Sequence, residues 1–69
     1  MEIRYDKDAD AMYVKLKNGK FSKNKVINRE TILDLDVKGD LLGIELLSIS
    51  KRIPAESLSK ITIKNIEVA

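Results

Sequence analysis

Residues 2–6 alternate, with Ile3 and Tyr5 set against Glu2, Arg4 and Asp6, the period of a half-buried strand. The polar run over residues 6–10 ends it. Met12, Val14 and Leu16 then alternate with Tyr13, Lys15 and Lys17, and Asn18-Gly19 follows at once, a dipeptide suited to a two-residue hairpin turn. The returning strand is expected to run from Lys20 to Ile27 and to be exposed, because Lys23-Asn24-Lys25 dilutes its pattern. After a break at Asn28-Arg29-Glu30, residues 31–37 place Leu33, Leu35 and Val37 on one face and Ile32, Asp34 and Asp36 on the other. Lys38-Gly39-Asp40 predicts the next turn, with Gly39 at a positive φ. Residues 41–49 are apolar on both faces: Leu42, Ile44 and Leu46 on one, Leu41, Leu47 and Ile49 on the other, interrupted by Gly43 and Glu45. Such a strand belongs in the middle of a sheet with something over each face. Pro54 opens a short helix reaching towards Lys60, and residues 61–68 give a last β-like segment whose alternation slips at Lys64-Asn65. The pattern predicts an α+β fold, mainly β: an antiparallel meander of five or six strands with one short helix near the C-terminus.

Length and composition narrow what this sheet can do. Sixty-nine residues allow one domain, over residues 1–69, with a thin core. Unaided cores of this size supply only about 3–5 kcal/mol, so small domains commonly add disulfides, a metal or self-association. Disulfides are excluded, since the chain has no cysteine, and with them go thiol catalysis and thiolate metal sites. Histidine is also absent, which removes the usual general base and the commonest metal ligand. Charges stand where a signal peptide needs an apolar run, and no stretch reaches membrane-spanning length, so a cytoplasmic protein without a membrane role is expected. The net charge of +2 comes from interspersed signs, except that residues 15–25 carry five lysines and no acid.

Two stretches resemble a known family. Ile3-Arg4-Tyr5-Asp6-Lys7-Asp8-Ala9-Asp10-Ala11-Met12-Tyr13-Val14 is similar to an I-x-Y-D-x-x-x-D-A-x-Y-V pattern. Residues 32–50, with Asp34, Asp36, Gly39 and Gly43-Ile44-Glu45, are similar to D-x-D-x-x-G-x-x-x-G-I-E-x-L. Both are patterns of the short prokaryotic proteins grouped as domain of unknown function 2283. The likeness covers about residues 3–50 and leaves 51–69 as an extension. It implies a compact, mainly antiparallel β domain with no assigned activity, and an antitoxin-like, partner-binding role through the gene pairs in which similar proteins occur.

Four motifs carry candidate chemistry. Asp34-Leu35-Asp36-Val37-Lys38-Gly39 with Glu45 overlays a calcium-loop pattern. Lys38, however, stands where an oxygen ligand is needed, and the flanks alternate as strands; with Asp34 and Glu45 on paired strands, both cannot wrap one ion, so an Asp-rich turn is expected. Asp6, Asp8 and Asp10 read likewise as a turn, weak binding of a divalent ion being the alternative. Three S-x-x-K matches, Ser22 to Lys25, Ser48 to Lys51 and Ser57 to Lys60, are too many in so short a chain to mark a nucleophile. Lys15, Lys17, Lys20, Lys23 and Lys25, beside Tyr13 and Phe21, form a basic strand pair that could contact nucleic acid, although lysines also protect exposed sheet edges.

Glu45, embedded in the most apolar strand, needs a partner; Arg4, Arg29, Arg52 or a subunit boundary would supply one. No catalytic residue, metal site or cofactor follows from these patterns. The expectation is a non-enzymatic, homo-oligomeric interaction module, most simply a homodimer, whose interface uses Leu41, Leu47, Ile49 and Glu45; cover of that face by the C-terminal segment is the alternative. A second small protein is an alternative partner, and nucleic acid at the lysines is the rival reading.

Overall fold

A computed structural model describes residues 1–63. Five strands, β1 (Glu2–Asp6), β2 (Ala11–Lys15), β3 (Lys23–Asn28), β4 (Thr31–Leu35) and β5 (Leu41–Leu47), precede two one-turn helices, α1 (Ile49–Arg52) and α2 (Ala55–Leu58). All strand pairs are antiparallel in one open sheet of order β1-β2-β5-β4-β3. The architecture is therefore α+β and mainly β, and β5, apolar on both faces, occupies the centre.

The order departs from a simple meander at one place. Asn18-Gly19 does not turn β2 back onto β3; β2 pairs with β1 and β5, and β3 lies at the far edge beside β4. The physical reason is apolar pairing. Met12 and Val14 of β2 stand opposite Leu46 and Ile44, whereas a hairpin with β3 would have set them against a lysine-rich strand exposed at every position. The loop after β2 instead passes over the end of β5, where a Cβ on Gly19 would lie 2.5 Å from Leu42 Cδ2.

The other turns follow their local chemistry. The Asn28 side chain accepts the Glu30 amide at 2.9 Å, and the Asp36 carboxylate accepts the amides of Lys38 and Asp40, both at 2.9 Å. Gly39 has φ +87°, as its turn requires. Thus Asp36 is occupied by its own backbone as a turn former.

The strand expected over residues 41–49 stops at Leu47. Ser48 takes a left-handed conformation, φ 51°, which swings the chain off the sheet and starts α1 at Ile49. Pro54 precedes α2, as the sequence predicts, while α1 is an additional helix. Of the last β-like segment, residues 61–63 form no strand and the remainder lies outside the described residues.

Among the described residues, the elements pack mainly against their ladder neighbours, and neither helix spreads over the sheet as a second layer. Only Leu42 and Ile49 are buried hydrophobic residues. The molecule is broad and thin, 37 × 35 × 18 Å, the dimensions of one sheet with helices at its margin.

Candidate functional site

Cross-strand partners share a face, so the register sorts the sheet into two surfaces. On one, Ile3, Val14, Ile44 and Leu33 line up in a row that Lys25 ends at the β3 edge. Beside it runs the row Tyr5, Met12, Leu46 and Thr31. This face is apolar from β1 to β4. The second face carries the row Arg4, Tyr13, Glu45, Ile32 and Val26, and next to it Glu2, Lys15, Gly43, Asp34 and Asn24. It is mixed, with charge on four of its five strands.

The proposed interface residues are divided by this arrangement. Glu45 and Leu47 share the mixed face and are half-buried, as is Leu41 at the bulge where β5 gains a residue over β4. Ile49 is not available to a partner: with the strand ended at Leu47, it opens α1 and is only 1% exposed within its own chain. The larger apolar face is the one built by Leu42, Ile44 and Leu46, opposite the face expected to form the interface.

The lysines do not form a strand pair, because β5 and β4 separate β2 from β3. Lys15 lies on the mixed face and Lys25 on the apolar one; Lys20 is in the connecting loop, and Lys17 Nζ reaches Asp40 at 3.7 Å. The basic stretch is continuous in sequence and scattered in space.

The Asp6-Asp8-Asp10 run is a turn with a long-range duty. The Asp6 carboxylate accepts the amides of Asp8 at 3.0 Å and Ala9 at 3.1 Å. Asp10, at φ 51°, reaches forty residues ahead: its carboxylate accepts the Ser50 amide at 3.0 Å and the Ser50 hydroxyl at 2.7 Å, and the Tyr5 hydroxyl donates to it at 3.3 Å. The Ile49 amide donates to the Asp10 carbonyl at 3.0 Å. These bonds seat the start of α1 against the β1–β2 turn. The Ser50 hydroxyl, ahead of the Ser50 amide, the Tyr5 hydroxyl and the Lys51 charge, holds the Asp10 carboxyl below its ordinary value despite an opposing effect of burial. From the other side, the Arg52 guanidinium donates to the Glu30 carbonyl at 2.8 Å and to Thr31 Oγ1 at 3.2 Å.

Glu45 has an unexpected neighbour. None of the three arginines is its partner: Arg4 pairs with Glu2 at 3.1 Å, Arg52 is committed to Glu30 and Thr31, and Arg29 is exposed in the β3–β4 turn. The neighbour of Glu45 is instead Asp34, which lies diagonally across the β4–β5 ladder on the same face. The paired strands expected to keep the two acids apart bring them together. Hydrogen bonding with Asp34, then burial, then the Asp34 charge push the Glu45 pKa up from its ordinary 4.5. Asp34 is 9% exposed, and its Oδ1 has no donor among the described residues. The Tyr13 ring covers the pair by crossing Gly43, where a Cβ would lie 2.6 Å from the ring Cζ and 2.9 Å from the Val14 carbonyl oxygen. Burial, then the charge of Asp34 and its hydrogen bond, raise the Tyr13 pKa.

Asp34 and Glu45 were singled out in the sequence for a calcium-loop pattern and Tyr13 for its place beside the lysines; that they form one polar cluster around the buried Asp34 was not anticipated. Among the described residues, no three acidic, histidine or cysteine side chains gather as metal ligands. No helix of the described residues is long and apolar enough to cross a membrane.

These features define a class: a small antiparallel sheet tied at one end to a short helix, with no second layer over its apolar face among the described residues. Within that class the chain belongs to the family of proteins of unknown function DUF2283, whose model matches residues 2–50. The match ends at Ser50, the residue that Asp10 holds. No curated protein and no solved structure matches the chain.

Proposed function

We propose that the protein is a homodimeric interaction module in which two copies pack their apolar sheet faces together. The observation that carries this reading is the face of Ile3, Tyr5, Met12, Val14, Leu33, Ile44 and Leu46, which no described element covers as a layer. Stable domains bury such a face against a second layer, and a facing sheet about 10 Å away is the standard solution for an antiparallel sheet.

Lys25, beside Leu33 at the β3 edge, gives the face a charged rim, as interfaces commonly have. With the lysines of residues 15–25 divided among two faces and a loop, a nucleic-acid reading has no continuous basic surface to stand on.

Light scattering coupled to gel filtration at micromolar concentration tests the proposal. The natural chain is expected at twice its mass of 7.8 kDa. Ile3→Glu, at a position already 39% exposed on the apolar face, is expected to fold and run as a monomer, whereas Val26→Glu on the mixed face leaves the dimer intact. A natural chain that is monomeric throughout would sink the proposal.

A further inference from the structure

The mixed face holds a feature that self-association does not use. Two carboxyl groups set diagonally on one face of paired strands repel when both are ionised, and a bond between them requires a proton, because ionised carboxylates only accept. Asp34 Oδ1 is a buried acceptor lacking a donor, and its acidic neighbour Glu45 sits on the adjacent strand. A proton on Glu45 supplies the missing donor. The local backbone is committed to this meeting: a one-residue bulge between β4 and β5 sets Asp34 opposite Gly43, and Gly43 leaves the space that the Tyr13 ring occupies above the pair.

We propose that Glu45 keeps a proton that it turns towards the donor-less Asp34 Oδ1 and acts, with Tyr13 as cover, as a pH-sensitive latch at the centre of the sheet. Below the release point, the proton bridges β4 and β5 and the tyrosine lies flat across Gly43. When the proton leaves for solvent, the two acids repel, the more exposed Glu45 swings outward, and Tyr13 lifts from Gly43. The charged groups that bear on the pair are few. β4 contributes Asp34 and β5 contributes Glu45; β2 presents Tyr13 and, opposite Gly43, Lys15; β1 presents Arg4 in the Glu45 row, paired with Glu2; β3 presents the uncharged Asn24 opposite Asp34. Neither cation makes a salt bridge with either acid, so among the described residues no fixed positive partner replaces the proton.

The sign of the pH effect follows from linkage. The unfolded chain releases the Glu45 proton at the ordinary value of 4.5, and the latch holds it to higher pH. Its contribution to stability is therefore complete below 4.5 and is lost as pH rises through the release point.

Carbon-13 NMR of the side-chain carboxyls in the natural chain tests the latch without any substitution. The expected result is a Glu45 carboxyl that titrates above the ordinary glutamate range, with the Tyr13 ring resonances shifting at the same midpoint. Asp34→Asn should return the Glu45 titration to the ordinary range. Glu45→Gln should fold, abolish the Tyr13 transition and flatten the decline of melting temperature above pH 4.5. Ordinary titration of Glu45 in the natural chain, or a Tyr13 environment indifferent to pH while Glu45 titrates, would overturn the proposal. Because these measurements read the mixed face, they stand or fall separately from the dimer.

Discussion

Gly43 shows how much of this molecule is decided by single side chains. Its missing Cβ is the room for the Tyr13 ring, so Gly43→Ala forces the ring or the Val14 backbone to move. Overpacking of this kind costs about 1–3 kcal/mol. Denaturant titration should show that loss, and Tyr13→Ala in the same chain should recover part of it through coupling between the two sites. Ile49 is the opposite case, a side chain whose removal leaves a hole. Ile49→Ala is expected to cost about 2–5 kcal/mol, enough to unfold a domain whose core supplies little more. Glu45 was recognisable in the sequence as an acid in an apolar strand, but its partner was not. Counting outward from the Leu35–Leu41 pair without the bulge would set Asp34 opposite Leu42, on the face away from Glu45. The extra residue in β5 moves Asp34 to the Glu45 side, and alternation alone carries no sign of it.

At the scale of elements, α1 depends on contacts made outside it. Four residues form too short a helix to be stable alone, so the bonds from Asp10 to Ser50 and from Arg52 to Glu30 hold it in place. Asp10→Asn is expected to release the start of α1, seen as faster amide exchange at Ile49 and Ser50 with the β-sheet amides little changed. The same attachment has a pH signature. Since the folded Asp10 value is depressed below 3.8, its contribution is present above 3.8 and is lost as pH falls through the folded value. Strand identity was largely legible from alternation, and the turn at Lys38-Gly39-Asp40 from its residue types. Asn18-Gly19 misled because turn chemistry describes a bend and not which strands meet beyond it; the apolar positions of Met12 and Val14 chose Leu46 and Ile44 instead. The end of the long strand at Leu47 was hidden because Ile49 continues the alternation, while Ser48 breaks it with a left-handed backbone that its residue type does not announce.

The whole molecule is a sheet with two different faces, one apolar and one mixed around a carboxyl pair. That residues 41–49 hold the central strand was legible from their apolar pattern. Which face has no second layer among the described residues was not, because the sequence pattern leaves open whether the short helices extend over the sheet, and they remain at its margin. The family match to residues 2–50 encloses the strands, their turns and the Asp10–Ser50 contact, so the matched unit is the sheet with its tether. The central claim is that a second copy covers the apolar face, and isotope-filtered NOE spectroscopy on a mixture of labelled and unlabelled chains tests it most directly. The account predicts contacts between protomers among the methyl groups of Val14, Leu33, Ile44 and Leu46. Contacts confined to the mixed face, at Val26, Ile32 and Leu47, or none between chains at all, would contradict it.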